Sequence, residues 1–220
     1  MPLYKQQGWF FIKKNRSETM NDSYFDGILH IKTTGEQKGF NASLHYNRYE
    51  PTPYHALCEL FDHYELDKSD HVVDFGCGKG RLNFYIHHLF RATVTGIEMN
   101  EGLYREALEN KKRYERKFPV QPARIRFICC LAENYKILPK DNRFYFFNPF
   151  SVQIFMKVVQ NILRSVEEAH RETDIILYYP SQDYIYFLED HTPFEKKLEV
   201  PLTLLYEHNP YEKFVVYRLA

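Results

Sequence analysis

Val72-Val73-Asp74-Phe75-Gly76-Cys77-Gly78-Lys79-Gly80-Arg81 decides the fold. With His71 before it, the stretch opens on β-branched and aromatic residues, which suit a pleated, buried strand. Gly76, Gly78 and Gly80 then follow at alternate positions. Glycine admits the positive φ and the close backbone approach that a tight ligand-binding turn needs. Beyond the turn, Leu82, Tyr85, Ile86 and Leu89 repeat at helical spacing. Strand, glycine turn and helix in that order place a bend at the carboxyl edge of an open α/β sheet, where such folds bind ligands.

Working outward, the same alternation continues on both sides. Leu57, Leu60 and Phe61 mark a helix over 53–66, ahead of the first strand. After it come a strand at 92–99, a charged surface helix over 101–118 stopped by Pro119 and Pro122, and a strand at 124–130. A fourth strand covers 143–147, a helix with Ile154, Val158, Ile162 and Val166 on one face covers 152–170, and a fifth strand covers 174–179. A short helix over 182–190 precedes strands at 199–206 and 213–219. The gap between these two has no room for a crossover helix, so they pair antiparallel. The expected fold is α/β: a doubly wound, mostly parallel seven-stranded sheet with helices on both faces and a C-terminal antiparallel hairpin.

Three nucleotide-binding patterns compete for the glycine turn. A P-loop requires GxxxxGK[ST], which the chain lacks. The dinucleotide fingerprint requires GxGxxG, whereas the spacing here is GxGxG. An acidic residue two places before the first glycine repels a pyrophosphate but suits a ligand carrying an ammonium and a sulfonium. Asp74-Phe75-Gly76-Cys77-Gly78-Lys79-Gly80 resembles the first motif of the class I, Rossmann-like S-adenosylmethionine-dependent methyltransferases, acidic-x-Gly-x-Gly-x-Gly, and the resemblance extends in element order over residues 49–219.

The resemblance implies S-adenosylmethionine as cofactor and a set of residues to hold it. Asp74, Gly76, Cys77 and Gly78 form the turn. Glu98, 22 residues after Gly76 and followed by Met99, ends the second strand where an acid takes both ribose hydroxyls. Leu131, Ala132 and Glu133 follow the third strand near the adenine; Leu131 stands where Asp is common, and Glu133 is either its replacement or a first-turn helix residue. Tyr49 and Thr52, in Tyr49-Glu50-Pro51-Thr52-Pro53-Tyr54, are candidates to donate hydrogen bonds to the methionine carboxylate, although a Pro-rich helix entry explains the same string. Asn148-Pro149-Phe150, after the fourth strand, partly matches the [Asp/Asn]-Pro-Pro-[Tyr/Phe] of amino-methylating members, and it is the candidate catalytic segment for a nitrogen nucleophile. Asn148 counts on both the catalytic and the cofactor side.

Composition bounds the rest. Of 220 residues 44% are hydrophobic, which excludes wholesale disorder and suits one domain. Lys plus Arg equals Asp plus Glu, 29 each, so the chain lacks a broad phosphate-gripping charge; this tilts the acceptor toward a small molecule or a protein over nucleic acid. No stretch reaches the roughly 20 apolar residues of a spanning helix. Trp9–Ile12 is too short for a signal-peptide core, so a cytoplasmic location is expected. Cys58, Cys77, Cys129 and Cys130 form no CxxC pair, so reduced thiols and no metal site are expected. Residues 1–40 read as an N-terminal extension with a helix and a short strand or turn, packing over the core, with the methyltransferase domain at 41–220. Two rival readings stay open: a non-catalytic binding protein on this fold, and a nicotinamide-dependent oxidoreductase, which Asp74 and the glycine spacing disfavour.

Overall fold

Alternating side chains on the strands explain the layers. Val72, Val94, Ile176 and Val216 point into one apolar cluster, and their neighbours Val73, Phe75, Ile175, Leu177 and Val215 point into a second. A sheet apolar on both faces needs helices on both faces. The computed structural model describes residues 22–35, 45–121, 123–202 and 207–220.

In chain order the elements are α1 (Asp22–Leu29), α2 (Tyr54–His63), β1 (His71–Phe75), α3 (Arg81–Phe90), β2 (Thr93–Glu98), α4 (Glu101–Lys117), β3 (Ile125–Cys129), a 3-10 turn (Ala132–Asn134), β4 (Arg143–Phe146), α5 (Val152–Glu168), β5 (Thr173–Tyr178), α6 (Gln182–His191), β6 (Glu195–Pro201) and β7 (Lys213–Leu219). The sheet has seven strands in the order β3-β2-β1-β4-β5-β7-β6. β3 through β5 run parallel, while β7 pairs antiparallel with both β5 and β6. Residues of α1 to α4 fill the first cluster, and those of α5 and α6 fill the second. The order reverses between β1 and β4, which opens a crevice at their carboxyl ends.

The mostly parallel sheet and the antiparallel end are as expected from the sequence. One boundary moves: β6 begins at Glu195, four residues before the expected start at 199. Its opening Glu195-Lys196-Lys197 is exposed on the sheet edge, and charged edge residues hide strand character from a hydrophobic pattern. The remainder of that expected strand, residues 203–206, lies outside the described residues, as does the boundary placed at 40.

Within the N-terminal segment, α1 and the residues after it pack into the core through Phe25, Leu29 and Ile31. The buried Asp26 carboxylate organises this corner: it accepts from Thr33 N (2.5 Å), Thr33 Oγ1 (2.7 Å) and the Tyr54 hydroxyl (2.8 Å). Arg81, at the start of α3, pairs with Asp22 and donates from Nε to Thr33 Oγ1 (2.7 Å). Among the described residues, no helix is long and apolar enough to cross a membrane.

Candidate active site

The glycine turn between β1 and α3 is bound to the end of β2. Gly76 N and Cys77 N both donate to Ile97 O (2.9 and 3.1 Å), and Gly78 N donates to Glu98 Oε2 (2.9 Å). Gly76, Gly78 and Gly80 have φ of +79°, +54° and +86°, so the turn uses the conformation its glycines permit. The turn amides are thus spent within the protein and beside a carboxylate, the reverse of a pyrophosphate cradle.

Glu98 is 7% exposed and holds two strand ends at once. Oε1 accepts from Asn100 N (2.7 Å), and Asn100 in turn caps α4 by accepting from Leu103 N (3.0 Å). Burial raises the Glu98 pKa, against the lowering effect of these backbone amides. A carboxylate offers about four lone-pair positions, so each oxygen retains capacity for a ligand hydroxyl. Asp74, 4% exposed, carries a stronger shift, to about 8, through burial first and the Glu98 charge second.

A cavity of about 280 Å³ opens along the carboxyl ends of four adjacent strands. Cys130 and Ala132 contribute from the β3 end, Ile97, Glu98, Met99 and Asn100 from β2, Gly76 from the turn after β1, and Phe147, Pro149 and Phe150 from beyond β4. Leu103 of α4 closes one side and residues 46–50 close the other. Residues 45–47 reach that position by pairing with the segment after β4: Asn47 N donates to Pro149 O (3.0 Å), Ser151 N to His45 O (2.8 Å), and Tyr46 bridges Phe150. From below, the Tyr184 hydroxyl of α6 donates to Phe150 O (2.5 Å) and fixes the loop.

Of the residues singled out from the sequence, Tyr49, Gly76, Glu98, Met99, Ala132, Pro149 and Phe150 meet in this cavity wall. The others stand behind or beside it. Asp74 lies under the turn. The Cys77 side chain lies against β2, where a Cβ built on Gly96 would come 2.6 Å from its sulfur. Gly78 is covered by Tyr49, whose ring carbon would lie 2.0 Å from an added Cβ. The two hydroxyls expected to serve the ligand have protein partners: Tyr49 donates to Thr33 O (2.8 Å), and Thr52 Oγ1 is bonded to the Tyr145 hydroxyl (2.7 Å). Leu131 is 38% exposed, and Glu133 accepts from the Tyr46 hydroxyl (3.3 Å). The Asn148 carbonyl accepts from Asn47 Nδ2 (2.6 Å), while its backbone has φ of +41°. Tyr46, Asn47, Arg48, Glu50, Asn100, Cys130 and Phe147 escaped the sequence reading. For residues 46–48 no local signal exists, because their place depends on pairing with a segment about a hundred residues away. Phe147 was legible only as strand.

The cavity therefore combines a carboxylate at the end of β2, apolar walls at the ends of β2 and β3, and an aromatic wall past β4. The walls suit a nucleoside whose ribose meets Glu98, which is the fit demanded of an adenosyl cofactor. A methyltransferase-domain family model matches residues 73–173. No curated protein matches the sequence. Among solved structures, the chain resembles a protein of Pyrococcus horikoshii OT3, with 15% identity, a TM-score of 0.55, and 77% of this chain and 92% of that one covered. It also resembles a SAM dependent methyltransferase from Aquifex aeolicus, with 12% identity, a TM-score of 0.52, and 74% and 88% covered. Aeropyrum pernix fibrillarin, in complex with natively bound S-adenosyl-L-methionine, shares 16% identity with a TM-score of 0.51 over 74% and 73%. At such identities these likenesses concern the fold. Sheet order, glycine turn and strand-end cavity define a Rossmann-like α/β domain. Over residues 73–173 the chain is similar to the methyltransferase-domain family.

Proposed function

We propose that this enzyme methylates a nitrogen nucleophile seated between the glycine turn and the segment Phe147–Phe150. The carrying observation is the single cavity that spans the ends of β3, β2, β1 and β4 with Glu98 in its wall. S-adenosylmethionine supplies an electrophilic methyl on a sulfonium sulfur. Glu98 accepts the ribose hydroxyls through the lone pairs that Gly78 N and Asn100 N leave open. Met99, Leu103 and Ala132 present apolar surface to the adenine. Asp74, under the turn, keeps its proton up to about pH 8 and so meets the amino-acid end as a neutral hydrogen-bonding carboxyl. Pro149 and Phe150 wall the acceptor side, and residues 46–50 exclude water. The chain's share of the rate is orientation and exclusion of solvent.

The nitrogen assignment rests on Asn148-Pro149-Phe150, with one difference from amino-methylating members. The Asn148 and Pro149 carbonyls already accept from Asn47, so the acceptor is held by the cavity wall more than by those carbonyls. The neutral chain favours a small molecule or a protein as acceptor. We further propose that the enzyme works in the cytoplasm.

Calorimetry with S-adenosylhomocysteine tests the cofactor site. Glu98→Gln places an NH₂ donor against one of two backbone N–H donors and removes a charged acceptor. Loss of charge-assisted hydrogen bonds at about 1.5–3 kcal/mol predicts about 10- to 100-fold weaker binding. Equal affinity in wild type and variant refutes the placement. Transfer of labelled methyl groups to an acceptor separates an enzyme from a protein that only binds.

A further inference from the structure

The end of the cavity away from Glu98 has a chemistry of its own. Phe147 stands in the wall just beyond β4, and its ring meets that of Tyr178, at the end of β5, with centroids 4.6 Å apart. Behind this wall, outside the cavity lining, ring contacts run on from the buried Tyr178 to Tyr179 (6.4 Å) and from Tyr179 to Tyr211 (5.7 Å). Two carboxylates border it. Glu212 accepts from the Tyr178 hydroxyl (2.8 Å). Glu50, exposed in the cavity wall, is close enough to help raise the Tyr178 pKa, and its own carboxylate has no hydrogen bond or ion pair among the described residues. Arg48 shares this wall but is not a free cation, since it has an interaction of its own. Lys213, the nearest lysine in the chain to Glu212, is bonded to Glu199 (2.9 Å).

Aromatic faces beside a carboxylate attract cations and give a neutral or anionic group no matching partner. Resting on the methyltransferase reading above, we propose that the acceptor is an aliphatic amine that arrives as its ammonium ion, with Glu50 as its counter-charge and Phe147 as its aromatic wall. The ammonium first releases one proton to solvent at the open mouth. The amine lone pair then forms the N–C bond while the methyl–sulfur bond breaks and its electron pair stays on sulfur. The product is a methylammonium ion, whose positive charge replaces that of the sulfonium, so charge balances.

The probe is n-butylammonium, compared with n-butanol and butyrate, titrated into the full chain saturated with S-adenosylhomocysteine and followed by ligand-observed NMR. The expected result is a preference for butylammonium of about tenfold or more over both analogues. Glu50→Gln brings butylammonium to the level of butanol, and Phe147→Leu weakens it by about threefold. An S-adenosylhomocysteine titration of each variant reports whether the cofactor end is intact. Equal binding of the three probes to wild type, or an undiminished preference in Glu50→Gln, overturns the proposal while leaving the methyltransferase reading standing. Failure of wild type to bind S-adenosylhomocysteine overturns the cofactor placement, and the acceptor assignment falls with it.

Discussion

Asp74 shows how far a single residue can be read. Its type and spacing announce an acidic motif, and the sequence assigns it to the ligand. In the fold it alternates with Val73 and Phe75 along β1, so its carboxyl is carried into the protein beneath the turn, with no hydrogen bond among the described residues to offset burial. The shift to about pKa 8 has a thermodynamic consequence. Between about pH 4 and about pH 8 the folded chain retains a proton that the unfolded chain has released. Stability therefore falls as pH rises through that window, by at most about 1.4 kcal/mol per pH unit, and flattens above it. Asp74→Asn lacks this slope, so its urea midpoint gains on the wild type from pH 5 to pH 9. Parallel pH profiles for the two proteins would mean that Asp74 is ionised in the fold. Glu98 sits in a similar degree of burial but differs in kind, because the amides of Gly78 and Asn100 bind its oxygens.

Between the strands and helices, the glycine turn is the element whose conformation and neighbours are hardest to separate. Gly78 has a positive φ, and Tyr49 from a distant segment fills the space above it. Tyr49 is itself tied to Thr33, and Lys79 reaches Thr34 O (3.3 Å), so the residues after α1 are strapped to the turn. Gly78→Ala adds both backbone strain and a clash with the Tyr49 ring, and a loss of about 1–3 kcal/mol follows from the strain alone. Adding Tyr49→Ala removes the clash and leaves the strain. The double variant should then be more stable than the summed single losses imply, as read from a double-mutant cycle of urea unfolding. Strict additivity would show that the ring yields freely. The glycine pattern and its turn were legible in residues 72–81 because the signal is local. The ring that covers the turn was not, because it comes from a segment that meets it only in three dimensions.

At the scale of the molecule, the end of the sheet opposite the cavity is held by charge. Asp174, fully buried near the start of β5, accepts from the Tyr64 hydroxyl beyond α2 (2.6 Å) and from Nε and Nη2 of Arg218 on β7 (2.7 and 2.9 Å). Arg143 of β4 and Lys197 of β6 lie within 3.7 and 3.8 Å of it. Burial raises its pKa but is outweighed by the bonds from Arg218 and Tyr64, so the net shift is downward. Its stabilising contribution is therefore present above the unfolded carboxylate pKa and is lost as pH falls through the lower folded value. Asp174→Ala removes the buried acceptor of the Tyr64 hydroxyl and of Arg218, while Arg218 keeps Glu172 and Arg143 keeps Asp70 and Glu172, so it should cost about 1–3 kcal/mol. Urea unfolding at pH 7 measures this, and S-adenosylhomocysteine affinity should hold, because the cavity lies at the other end of the strands. A loss of less than about 1 kcal/mol would reduce the network to a surface feature.

The sequence by itself determined the order of elements, the parallel sheet with its antiparallel close, the glycine turn and the carboxylate that ends β2, since periodicity and spacing are properties of neighbours along the chain. Only the tertiary structure decided that residues 46–50 wall the cavity, that Phe147 and Glu50 face the same space, that Tyr49 covers Gly78 and that β7 lies between β5 and β6. Those relations join segments far apart in sequence, and the energy that selects them, burial of apolar surface and pairing of strands, exists only once the chain has closed on itself.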